Sequence, residues 1–271
     1  MTAPTVATTE PAATPARHTA FGDFTIRIAA GILILVLWEV LVRAFAPPFV
    51  ARPTGIIAAF PGVMANPTFW LAAQATLTAV FQGLAIAFVA GTILGVGIGR
   101  IRLVDRFSSL YISGLFAMPL TAILPLFSLW FGYTADARLA VVVFACFFSV
   151  VTNVSDGARA VPIEYIEVSR SFRGRALSRL FDVILPASVP YILAGLRLAA
   201  GRALIGAVVA EFFVSIPGLG FFILFEARRF HHNEAFVGVA LLACSGVLFE
   251  IALRKATAKW LPWYRRGEPG D

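Results

Sequence analysis

Apolar residues in this chain gather in long runs instead of alternating with polar ones. Six runs approach or exceed the roughly 20 residues needed to cross a hydrocarbon layer: 26–46, 77–99, 110–131, 139–154, a segment within 190–213, and 235–253. Where no water can satisfy the backbone, runs of this kind are read as helices. The third is interrupted by Pro119 and Pro125. Each removes a helical hydrogen bond, so this helix is predicted to bend or break. Broken helices in transporters often border the substrate route, and a plain structural kink is the alternative. The second run carries Gly91, Gly95 and Gly99, four residues apart, which leaves one helix face bare. Another backbone can approach such a face closely, either a helix of this chain or a second subunit.

Between the fourth and fifth runs lies one large polar segment, 156–185. Pro162 suits a helix start, Glu164 and Glu167 its positive end, Arg170 and Arg173 its negative end, and Gly174 its stop. Leu177, Leu180, Phe181 and Ile184 then fall at i, i+3, i+4 and i+7, giving a second short helix with one apolar face, ended by Pro186. The expected unit is a helix–turn–helix with its charges outward and its apolar stripe toward the membrane domain. It is either an interfacial element that orients the protein or a docking element that transmits a partner's motion.

Basic residues assign an orientation. With the N-terminus in the cytoplasm, the inside segments hold Arg17 and Arg27, then Arg100, Arg102 and Arg106, then the arginines from Arg159 to Arg179, then Arg254, Lys255, Lys259, Arg265 and Arg266. The outside segments hold only Arg52, Arg138, Arg228 and Arg229. This asymmetry places both termini inside. Arg228 and Arg229 fit least well and point to a short surface helix after Pro217-Gly218-Leu219-Gly220. Residues 1–20 lack a basic start followed by a short apolar core, so they are read as a disordered cytoplasmic tail and not a signal peptide. A membrane domain is expected over 21–262 and a second cytoplasmic tail over 263–271.

Composition agrees. Hydrophobic residues make up 59% of the 271 and charged residues 14%, against roughly 25% charged in soluble domains. Soluble enzyme classes therefore drop out. The net charge of +7 sits in a few loops, a pattern of membrane orientation with surrounding lipid and not of nucleic-acid binding. Cys146 and Cys244 both lie in apolar runs, without metal-type spacing, and read as packing residues. His231-His232-Asn233-Glu234 lacks further ligands and reads as solvent-facing.

Charges inside the runs are candidates for function. Glu39 and Arg43 can pair across one turn. Arg197 and Arg202 either reach the inner surface or face a polar cavity. Glu211 is the best single candidate for a pore-facing group, with a buried partnership to an arginine as the alternative.

The polar segment resembles the signature loop of permease subunits of ATP-binding-cassette importers. That loop reads Glu-Ala-Ala, then Gly, then an Ile-x-Leu-Pro ending; here stand Glu167-Val168-Ser169, Gly174 and Leu185-Pro186. More narrowly, the chain resembles the nitrate, sulfonate and taurine branch. Leu37-Trp38-Glu39, Pro119 through Pro125 followed by Leu129-Trp130-Phe131-Gly132, Pro186 through Ile192, Gly195-Leu196-Arg197, Ala210-Glu211 and Gly218-Leu219-Gly220 also match. Val168 and Ser169 replace two alanines, and Arg173 stands where the family has its glycine. Pro186 keeps the family spacing.

The resemblance implies an all-α integral membrane protein of about six transmembrane helices with a cytoplasmic coupling loop. It implies a bacterial inner-membrane permease that forms the translocation path for a small anion or organic solute. The implied partners are a second permease subunit in a homodimer, cytoplasmic ATPase subunits, and a periplasmic or lipid-anchored substrate-binding protein. Glu167, Val168, Ser169, Phe172, Arg173 and Gly174 would form the ATPase-docking loop; Pro119, Pro125 and Glu211 would border the path. No phosphate-binding loop exists here, since Lys255 precedes Ala256 and Lys259 precedes Trp260. The chain is therefore expected to bind no cofactor and to catalyse nothing itself, ATP being used by the partner. A secondary transporter driven by an ion gradient is the alternative. A membrane enzyme is disfavoured because no Ser/His/Asp or Cys/His grouping stands in the runs.

Overall fold

The computed structural model describes residues 20–172 and 174–260. Apart from Ala20, which opens the first helix, the expected tails 1–20 and 263–271 lie outside the described residues, as does Arg173. The helices are α1 (Ala20–Phe45), α2 (Pro53–Met64), α3 (Pro67–Arg100), α4 (Arg102–Ala117), α5 (Leu120–Phe131), α6 (Ala135–Ala160), α7 (Ile163–Ser171), α8 (Ala176–Ser178), α9 (Leu185–Val214), α10 (Leu219–Arg228) and α11 (His232–Trp260), with a π-helical segment, Arg179–Ile184, between α8 and α9. Among the described residues five helical stretches are long and apolar enough to cross a membrane, and the α4–α5 pair, bent by 100°, makes a sixth. The protein is thus an all-helical multi-pass membrane protein.

The core is a stack of three helices, with α6 between α3 and α9. The reason is legible in the side chains. Small residues line the facing surfaces of α3 and α9, and the valines of α6 fill the gap: Val142, Val150 and Val154 are fully buried. A Cβ on Gly91 would stand 2.9 Å from Val150, one on Gly95 2.8 Å from the Val151 carbonyl oxygen, and one on Gly99 2.6 Å from Ala158. On the other side, Ala199, Ala203 and Ala207 of α9 are fully buried. Gly91, Gly95 and Gly99 therefore pack within this chain. The alternative, a subunit interface on that face, is corrected: α6 already occupies it. Without a hydrophobic drive in lipid, such close backbone approach supplies the packing contacts that hold the helices together.

Several boundaries differ from expectation. Helix α3 begins ten residues before the predicted run, because Asn66 caps it, its side chain accepting from the Thr68 N–H at 3.0 Å. Helix α2 was not anticipated. Pro119 is the break between α4 and α5, whereas Pro125 lies inside α5. Pro186 does not end a helix. It sits in the first turn of α9, and Ala176–Val214 runs on as one 39-residue helix. The π-helical turn, in which the Leu185 N–H donates to the Leu180 carbonyl, changes the hydrogen-bond register just before the proline. The apolar stripe before it is only partly covered: Ile184 is buried, but Leu177 and Phe181 are exposed. The short helix after Pro217 is present as α10.

Helix α1 stands apart, packing on α2, with Trp38 against Phe236 of α11 at 5.5 Å between ring centroids. Glu39 accepts from the Thr54 N–H at 3.0 Å and from its hydroxyl at 2.7 Å, so the Glu39–Arg43 pair caps the start of α2.

Candidate functional site

Between the two most closely packed helices, α6 and α9, the chain turns out of the core through α7. The Val161 side chain and Ile166, 8% exposed, anchor this turn. Everything else large on α7 faces away: Ile163, Tyr165 and Val168 are exposed, and Phe172 is 84% exposed. Glu167 is also exposed, and Ser169 half-buried.

The end of α7 is built by its own backbone. The Phe172 N–H donates to the Val168 carbonyl at 3.2 Å and the Gly174 N–H to the Ser169 carbonyl at 3.0 Å. The second bond is the long closing bond of a Schellman turn. A Cβ on Gly174 would lie 2.8 Å from that same carbonyl oxygen. Arg179 donates from Nη1 to the Gly174 carbonyl at 3.0 Å, tying the turn to the π-helical segment. The glycine is therefore required one residue after the family position, by close approach. The outcome is a short, fixed helix with a mixed aromatic and acidic outer face, standing on the two central helices.

At the opposite end of the same helix pair sits Glu211, which is 0% exposed. Its Oε1 accepts from the Thr76 hydroxyl at 2.7 Å and from Arg138 Nη1 at 3.0 Å; its Oε2 accepts from the Gly220 N–H at 2.7 Å. The Thr76 hydroxyl oxygen in turn accepts from the Leu219 N–H at 2.7 Å, and Arg138 Nη1 also donates to the Pro217 carbonyl at 2.9 Å. The carboxylate thus lies at the positive end of α10 and joins α3, α6, α9 and α10. A Cβ on Gly218 would stand 2.2 Å from it. The expectation that Glu211 faces a pore is corrected: its oxygens are occupied from inside the chain, and it is the buried partner of an arginine.

Thr76 and Arg138 were missed as site residues by sequence reasoning. The available signal was positional. Arg138 is three residues into α6 and Glu211 three residues from the end of α9, so an antiparallel pair sets them level. Of the remaining charged candidates, Arg197 pairs with Glu250 at 3.0 Å and His231 with Glu226 at 2.8 Å. Pro125 lies beside Leu124, which packs with Ala210 and Val141, and Pro119 marks the α4–α5 break beside a separate cavity.

Comparison with known proteins gives a consistent picture. Residues 83–254 match the family described as the binding-protein-dependent transport system inner membrane component. The formylaminopyrimidine transport permease protein ThiX of Halalkalibacterium halodurans is 28% identical over 235 residues, covering 87% of this chain and 94% of that protein. The putative aliphatic sulfonates transport permease protein SsuC of Bacillus subtilis is 35% identical over 184 residues, 66% of each chain. The taurine transport system permease protein TauC of Escherichia coli is 27% identical over 239 residues, covering 86% of this chain and 87% of that one. The matched region contains α6, α7 and α9 in full.

Proposed function

The chain belongs to the binding-protein-dependent transport system inner membrane component family, and from that premise we propose that it is the membrane-spanning permease subunit of an ATP-driven importer for a small anion or organic solute of the sulfonate or taurine type. Two copies form the translocation path. Both termini and α7 lie on the cytoplasmic side, where ATPase subunits grip α7; a substrate-binding protein delivers solute at the Glu211 end.

The observation that carries this reading is the outer face of α7. A helix of nine residues with its C-cap, held on the two central helices yet presenting Tyr165, Val168 and Phe172 to the outside, has a large apolar surface uncovered among the described residues. The absence of a phosphate-binding loop in this sequence supports placing ATP hydrolysis on another chain. The solute class follows from the names of the relatives.

The test is crosslinking in intact cells from a photoreactive residue at Phe172. Recovery of a nucleotide-hydrolysing subunit is expected, and Glu167→Lys or Gly174→Leu should separate ATP hydrolysis from uptake while the helices stay folded. Solute uptake by the purified chain alone on an ion gradient would overturn the reading.

A further inference from the structure

Arg202 is exposed and lies far from either end of its helix. It is 26 residues after Ala176, where the continuous helical run begins, and 12 before Val214. Twelve residues are about 18 Å of helix, which sets Arg202 within a hydrocarbon layer of about 30 Å. Another arginine of the same helix, Arg197, is matched by a carboxylate, Glu250, and the buried Arg138 by Glu211. Among the described residues Arg202 makes no salt bridge, and its guanidinium lies instead 4.3 Å from the centroid of the Phe116 ring. A cation–π contact leaves the positive charge unneutralised.

Arg202 also lines a cavity of about 290 Å³ with Leu115, Phe116, Met118, Leu120 and Phe144. Met118 and Leu120 flank Pro119, where α4 turns by 100° into α5. The residues on either side of the α4–α5 break therefore border this cavity. Pro119 lacks an N–H, and the first N–H groups of α5 carry the partial positive charge of a helix N-terminus. Half-helix N-termini directed at anionic groups are one way membrane proteins hold a solute without a full counter-charge. The remaining walls are apolar and aromatic, and the volume is at the lower edge of small-molecule sites.

We propose that Arg202, with the N-terminus of α5, forms the anion-contacting point of the translocation path, receiving the oxyanion group of a small organic anion while Phe116 and Phe144 face its apolar part. This deepens the importer reading and rests on it. The same chemistry disfavours an organic cation as the solute, since Arg202 is the one charged side chain among the described residues that line the cavity.

The experiment uses the complete transporter, this chain with its ATPase and binding protein, in proteoliposomes with radiolabelled taurine as the probe. Arg202→Gln should lower ATP-dependent uptake by about tenfold or more, the scale of a lost hydrogen bond to a charged group, whereas Arg202→Lys should keep most of it. In a Cys244→Ala background, Arg202→Cys should be restored by an aminoethyl methanethiosulfonate reagent, which returns a cation, and not by the sulfonatoethyl reagent. Co-purification of the ATPase should be unchanged in all variants. Uptake by Arg202→Gln within twofold of normal, equal responses to the two reagents, or loss of the ATPase together with uptake would each overturn this inference while leaving the importer standing. Absence of ATP-dependent taurine uptake by the unsubstituted transporter would overturn the anion reading in both forms.

Discussion

The two ends of the α6–α9 pair handle polarity in opposite ways. At one end, Glu211 is satisfied by Thr76, Arg138 Nη1 and the Gly220 N–H, and Thr76 by the Leu219 N–H, in a site closed to solvent. At the other, α7 turns Tyr165, Glu167, Val168 and Phe172 outward, with Ile166 alone buried against the core. A polar group whose partners are all internal serves the fold. A fixed element whose larger side chains are exposed among the described residues is the one proposed to meet a partner. By residue type Glu211 could face a pore or pair with a buried arginine; the destination of its hydrogen bonds selects the pairing.

The sharpest way to break this comparison is at the closed end. Glu211→Ala leaves the Arg138 guanidinium buried without its counter-charge, and breaking such a pair typically costs about 3–5 kcal/mol. Thermal unfolding of the purified protein in detergent should show it, and the double variant Glu211→Leu with Arg138→Met should recover part of the loss. An unchanged unfolding temperature in Glu211→Ala would mean that the cluster does not hold the helices. Gly218→Ala should act in the same direction, because its Cβ has no room beside the carboxylate.

Next in size is the core between the ends. Gly95→Leu drives a side chain into the Val151 carbonyl and Val154, and overpacking of this kind costs about 1–3 kcal/mol. The same assay should register it, with Gly97→Leu, whose Cβ meets nothing within 4 Å, as the near-neutral partner.

At the open end the expectation reverses. Phe172→Ala should change stability by no more than about 0.5 kcal/mol, as for an ordinary surface position, while uptake and its coupling to ATP hydrolysis fall. If Phe172→Ala unfolds the protein and spares uptake, the two ends have been assigned the wrong way round. The smallest shift is expected from Glu39→Gln, which keeps an acceptor for Thr54 at the exposed cap of α2; unfolding curves alone should separate it from the changes above.

Much of this architecture could be read from the chain. Long apolar runs set the membrane helices, since a backbone in lipid has few other solutions, and the four-residue glycine spacing marked the face against α6. What escaped was non-local or depended on register. Asn66-Pro67 marked the true start of α3, but a pattern of apolar positions does not show a cap. The passage through Pro186 depends on a π-helical turn that no periodicity announces. Thr76, Arg138 and Glu211 are separated by 62 and 73 residues in sequence (138 − 76 and 211 − 138), and only the packing of α3, α6 and α9 on one another makes them neighbours. The polar segment around α7 was legible because its residue types are anomalous among apolar runs; its exact turn was not, since Gly174 serves through contact with Ser169.

The uninterrupted path from α8 through α9 has a mechanical consequence. Its 39 residues make a beam of roughly 58 Å, with α7 hinged near one end and the Glu211 cluster bolted to the other. Pivoted at the π-helical turn, a tilt of about 5° would sweep the far tip by roughly 4 Å on that geometry, so a nudge no larger than an atom's width beside Gly174 would arrive amplified where α10 begins.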